Sequence, residues 1–150
     1  MKKRFNILIE DDWEVMANGL GNVAQLQYLP SLFFMKLAKR LGIKVTFMVD
    51  VVQQLVFREH VHTDHNIKLQ KHLWDDTVLL MKHYGFDVQL DLHPQWMNDT
   101  LKDDFFFLGN NWNFGRYSNA AQDSLIRDSI HYLEELITPV DPDYKVVAYK

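Results

Sequence analysis

What most constrains this chain is its alternation. Four short apolar runs, at residues 5–9, 43–49, 87–92 and 144–149, are separated by stretches long enough to hold a helix. Rich in Val, Ile, Leu and Phe, the runs have the composition of strands buried on both faces, as parallel strands are when helices cover them. Between the first two runs, Leu32, Phe33, Met35, Leu37 and Leu41 recur at helical spacing. Pro30 and Ser31 mark the start of that helix, and Gly42 stands where a left-handed residue would end it. Residues 66–84 repeat the pattern with Ile67, Leu73, Trp74, Val78, Leu79 and Met81. Residues 118–137 do so with Leu125, Ile126, Ile130, Leu133, Leu136 and Ile137, until Thr138-Pro139 stops them. The expected order is β-α-β-α-β-α-β. That predicts one α/β domain over residues 1–150, its parallel strands alternating with helices as an open three-layer sandwich or part of an α/β barrel.

Composition removes several function classes. A chain of 150 residues can bury roughly two-thirds of its unfolded surface. With no cysteine it has no disulfide, thiolate zinc site or cysteine nucleophile, so any metal must sit on carboxylates and imidazoles. A net charge of −4 gives no electrostatic reason to expect nucleic acid. The run at residues 5–9 follows Lys2, Lys3 and Arg4 but is cut off by Glu10-Asp11-Asp12. It is too short for a secretory signal, and far short of a membrane span. The expectation is a cytoplasmic protein with no membrane partner.

In parallel α/β folds, ligands gather at the carboxyl ends of the strands. The first run leads into Glu10-Asp11-Asp12, the second into Asp50, and the third into Asp91-Leu92-His93. Three strands thus bring acidic or imidazole groups to one edge. Asp91 and His93 are two apart and leave a strand on the same face, so both can reach one ion. Their donors suit zinc, iron, manganese or cobalt without choosing among them. Asp11 and Asp12 would divide the work, one binding metal and the other taking a proton from water. As a bland alternative, the pair caps a helix. Asp50 reads as a helix cap rather than a ligand. The cluster His60-Val61-His62-Thr63-Asp64-His65 reads as a loop with Thr63 or Asp64 capping the next helix, not as a second metal site. His72, His83 and His131 read as surface or partly packed residues of helices. Phe105-Phe106-Phe107-Leu108 predicts a short extra strand or an aromatic wall. Trp96 and Trp112 are the aromatic candidates for stacking on a sugar, although core packing serves the same residue types equally. No glycine-rich phosphate loop follows the first strand.

Three segments carry a resemblance. They are Ile9-Glu10-Asp11-Asp12-Trp13, Leu41-Gly42-Ile43-Lys44-Val45-Thr46-Phe47-Met48, and Gly85-Phe86-Asp87-Val88-Gln89-Leu90-Asp91-Leu92-His93-Pro94-Gln95-Trp96. In order and spacing, over roughly residues 5–137, the chain resembles the N-terminal half of the polysaccharide deacetylases. These are the chitooligosaccharide-deacetylase-like superfamily of metal-dependent carbohydrate esterases. The resemblance implies part of a distorted β/α barrel. It implies Asp11 as general base and Asp12, Asp91 and His93 as metal ligands. The cofactor implied is a divalent metal, zinc first, with manganese, iron or cobalt as alternatives. The reaction implied is hydrolysis of an N-acetyl group on an acetylated carbohydrate or glycan precursor. The chain departs from the pattern in three places. Asp91 stands at a histidine position of the related subgroup, and Phe86 stands where its glycine-histidine pair has histidine. The chain also stops at Lys150, where family members continue to an arginine motif and a catalytic histidine, so it reads as either a truncated or a shortened member, without the family's general acid in residues 1–150. The rival expectation is a non-enzymatic binding or assembly module that forms a homo-oligomer through open sheet edges.

Overall fold

In the computed structural model, which describes residues 8–15, 21–102 and 105–150, β2 (Thr46–Asp50) is the middle strand of a three-stranded parallel sheet. β1 (Glu10–Trp13) lies on one side of it and β3 (Asp87–Asp91) on the other. Glu10 is level with Thr46 and Trp13 with Val49, while Thr46 is level with Asp87 and Asp50 with Asp91. The carboxyl ends of all three strands therefore meet at one edge. A π-helical turn (Val23–Tyr28) leads into α1 (Leu29–Leu41), which returns the chain to β2. α2 (Val51–His60) and α3 (His65–His83) connect β2 to β3. A small antiparallel hairpin, β4 (Thr100–Lys102) and β5 (Phe105–Phe107), precedes α4 (Asn119–Ile137). The α/β class predicted by the alternation is present. Among the described residues, no helix is long and apolar enough to cross a membrane.

Strand alternation sorts the side chains into two unlike faces. Trp13, Phe47, Val49, Val88 and Leu90 belong to the core. There Phe34 of α1 meets Phe47 edge-on at 6.1 Å, and Trp74 of α3 lies 5.3 Å from Trp13. The other face carries Glu10, Asp12, Thr46, Met48, Asp50, Asp87, Gln89 and Asp91. Burying an aliphatic or aromatic side chain contributes about 1.5–3 kcal/mol, so the first face holds the sheet to its helices and leaves the second free for polar groups. Local signals set the helix ends. Asp50, Asp64 and Ser118 accept amide hydrogens of the first turns of α2, α3 and α4. Gly42, at φ +67°, ends α1 in the left-handed conformation.

Three expectations need correction. The first strand is Glu10–Trp13 rather than residues 5–9, because the ladder begins level with Thr46. Residues 5–7 lie outside the described residues. Glu10, Asp11 and Asp12 are therefore inside the strand, not beyond its end. The run at 144–149 makes a single parallel bridge, Tyr149 to Leu90, extended by hydrogen bonds of Lys150 to Leu90 and Leu92. Gln89 explains the interruption. Its Oε1 accepts the Val147 and Ala148 amides, so the segment is held partly by a side chain instead of a ladder. Finally, the expected cap at Asp50 opens a full helix, α2, that the β-α-β-α-β-α-β order does not count. Val51-Val52 continues the apolar run of β2, and only Asp50 marks where the period changes.

Candidate metal centre

The site is built from the register. Asp50 and Asp91 are neighbours across β2 and β3, and Glu14, one residue past Trp13, comes next in the row on the β1 side. His93 stands two residues past Asp91, and its ring comes back over this row. His93 Nε2 is 3.1 Å from Glu14 Oε2, while Nδ1 is 3.5 Å from Asp50 Oδ2 and 3.7 Å from Asp91 Oδ2. Donor atoms of Glu14, Asp50 and His93 all lie within 4.8 Å of one another, a grouping that could hold a metal ion.

Asp50 is fully buried. Its Oδ1 accepts the Val52 and Gln53 amides at 3.1 and 3.4 Å, which fixes the carboxylate as the cap of α2. Its Oδ2 has no hydrogen-bond partner, and neither does the buried His93 Nδ1 facing it. The two atoms face each other 3.5 Å apart as an ion pair without a well-formed hydrogen bond. Asp91 is also buried, with Oδ1 accepting the Leu92 amide at 2.8 Å.

Charge crowding follows from this packing. Burial, with Asp50 and Asp12 adding repulsion against the opposing pull of His93 and the Leu92 amide, pushes the Asp91 carboxyl up to about 6. Glu14 is raised by burial too, although His93 opposes it. For His93, burial works to lower the value, but Asp50, Asp91 and Glu14 together outweigh it and raise the imidazole to about 9. Without an ion, protonated His93 is thus the cation among these carboxylates. A divalent ion would take over that role, releasing the proton and engaging the neutral ring.

The residues expected from the sequence divide among several places. Asp91 and His93 are at this centre. Asp12 shares their face one row lower, where Lys150 Nζ holds its two oxygens at 2.8 and 2.7 Å. Asp11 lines a cleft of about 160 Å³ with Leu26, Pro30, Ser31 and Phe34, and burial, then the Asp12 charge, raises its carboxyl. Trp96 is only 2% exposed and packs on Phe57 and Phe106. Trp112 is 51% exposed, outside the core. Asp50 is the cap it was expected to be, and it faces His93 as well. Glu14 was missed. Its signal was the two-residue spacing Asp12-Trp13-Glu14, the same that joins Asp91 to His93.

Two glutamines brace the edge. Gln27 and Gln53, both buried, exchange amide hydrogen bonds at 3.2 and 3.3 Å, and Gln27 Nε2 reaches the Trp13 carbonyl at 3.5 Å. They tie the end of β1, which delivers Glu14, to the start of α2, which follows Asp50. On the same sheet face a cavity of about 390 Å³ opens between Glu10, Thr46, Met48 and Gln89 and the segment 147–150. The fold and this edge define an α/β protein with a carboxylate–imidazole cluster at the carboxyl end of its sheet. No family model, curated protein or solved structure matches the chain.

Proposed function

We propose that the protein is a divalent-metal-dependent hydrolase of the carbohydrate-deacetylase kind. The observation that carries the metal is the grouping of Glu14, Asp50 and His93, whose donor atoms lie within 4.8 Å of one another. Two carboxylates and an imidazole suit zinc, manganese, iron or cobalt without choosing among them, and the resemblance puts zinc first. When bound, the ion would supply Lewis-acid polarisation of a carbonyl and a lowered pKa for water. The chain's own residues would do the rest. Glu14, Asp50 and His93 would hold the ion. Asp91, beside those ligands and 3.7 Å from His93, would accept a proton from water or substrate there. Asp12, held by Lys150, would line the approach along the polar sheet face. Asp11, on the cleft side of β1, stays the base that the sequence resemblance implies.

The substrate class, an N-acetylated sugar or glycan precursor, rests on that resemblance, as does placement of this sheet within a β/α barrel. The polar face beside Asp12, with its cavity, is where such a substrate would lie.

The test is calorimetric titration of chelator-treated protein with zinc and with manganese, followed by acetate release from N-acetylglucosamine oligomers by the loaded protein. Saturable binding that is lost in an Asp50→Asn, His93→Gln double variant supports the metal. Acetate release lost in the same variant supports the hydrolase. No saturable heat with either ion removes the metal reading and the mechanism with it.

A further inference from the structure

α1 carries more apolar surface than its fold uses. The face it buries is Ser31, Met35 and Ala38. Leu29, Phe33, Leu37 and Leu41, a ridge of four-residue steps along the opposite side, are between 40% and 73% exposed. Leu26, in the preceding π turn, continues the patch toward β1. A strip of this length offers on the order of 500 Å² of apolar surface, at the upper end of the largest patch on an ordinary monomer.

Charge along the strip is uneven. Its carboxyl-terminal half is flanked by Lys36 and Arg40, while Lys39 turns away to donate to the Tyr84 carbonyl at 2.8 Å, and α1 has no acidic residue. Its amino-terminal end borders the cleft of Asp11, Asp12 and Glu14, which Leu26, Pro30 and Phe34 also line. The strip is therefore apolar in the middle and basic at one end, with Asp11 at the other, since Asp12 is held by Lys150 and Glu14 faces His93.

We infer that this face of α1 is a twofold interface with a second copy of the chain, the two α1 helices running antiparallel. In that arrangement the basic end of each helix lies over the acidic end of its partner, and the helix dipoles oppose favourably. A parallel pairing would set Lys36 and Arg40 against their own copies. A twofold contact also needs one self-complementary patch, which a strip with opposite ends provides. With the Lys36 and Arg40 stems added, the contact approaches the ~800 Å² per partner of standard interfaces, which suits a dimer of micromolar strength. The inference does not depend on the metal reading.

Sedimentation equilibrium of the full chain, from about 1 to about 100 µM, tests it. The expected result is a monomer–dimer equilibrium in the micromolar range that weakens with added salt. Phe33→Glu with Leu37→Glu should raise Kd at least tenfold while the circular dichroism spectrum stays unchanged, since both side chains are on the surface. Arg40→Glu should weaken the dimer without touching the apolar strip. A wild-type protein that stays monomeric at every concentration overturns the inference, and so does a dimer indifferent to the double variant. A monomer that instead co-sediments with anionic phospholipid vesicles overturns it in favour of a membrane-facing helix.

Discussion

At Asp50, Oδ1 takes the first amides of α2 while Oδ2 turns to His93, so cap and site are separable by substitution. Asp50→Asn keeps an acceptor for the cap and removes the charge. We expect zinc affinity to fall by about tenfold or more, with little change in the urea midpoint of the chelated protein. Equal affinity for the two proteins would show that Asp50 is a cap and nothing else. The crowding around His93 also predicts a pH response of the metal-free protein. Asp91 moves from its ordinary 3.8 to about 6 and His93 from 6.5 to about 9, so the native state holds more protons than the unfolded chain in both windows. Stability must then fall as pH rises through each window. The His93 contribution is fully present below 6.5 and lost through about 9, while the cost of ionising buried Asp91 appears from 3.8 through about 6. Urea midpoints in chelator at intervals across pH 4–10 check this. His93→Gln should flatten the upper slope, and a midpoint rising from 6.5 to 9 would contradict the assignment. Part of this was legible in the sequence. The strand endings at Asp50 and Asp91-Leu92-His93 placed three of the groups at one edge, but Glu14 joined them only because three strands lie in one register.

Among the elements, β1 is short and depends on Trp13. Its indole Nε1 donates to Ser31 Oγ at 2.6 Å and lies near the Gln27 carbonyl at 3.4 Å, and its ring packs on Trp74. Trp13→Ala should cost about 3–5 kcal/mol, read from denaturant unfolding, and should loosen Glu14 enough to weaken zinc binding as well. Loss of stability with unchanged metal affinity would mean that the position of Glu14 does not rely on this anchor. At the other end of α1, Gly42 has open space around a notional Cβ but a φ of +67°. Gly42→Ala should therefore cost about 1 kcal/mol through backbone conformation alone. α1 itself shows where periodicity misleads. Phe33, Leu37 and Leu41 marked the helix correctly, yet they lie on the face turned away from the core. A helix that is apolar nearly all round tells where it is but not which side it buries. By contrast the α3 pattern was nearly complete, since Ile67, Trp74, Val78 and Met81 are the residues it buries.

For the whole molecule, the segment 144–150 covers the outer edge of β3. Tyr144 donates to the Val88 carbonyl at 2.9 Å, Gln89 takes two of the segment's amides, and Lys150 pairs with both Leu90 and Asp12. Deleting residues 144–150 should lower the urea midpoint and promote association through the bared edge, seen as growth in light scattering. An unchanged midpoint would deny the segment its structural part. The sequence by itself determined the α/β class, the places of α1, α3 and α4, the cap at Asp50 and a cap at Thr63 or Asp64, because hydrophobic period and capping chemistry act over a few neighbouring residues. Tertiary structure alone decided that Glu14 joins Asp50, Asp91 and His93 at their edge, and that Trp96 belongs to the core. It also decided that one side of α1 is left bare. These depend on strand register and on which faces meet, which are set by contacts between residues far apart in the chain and leave no local pattern to read.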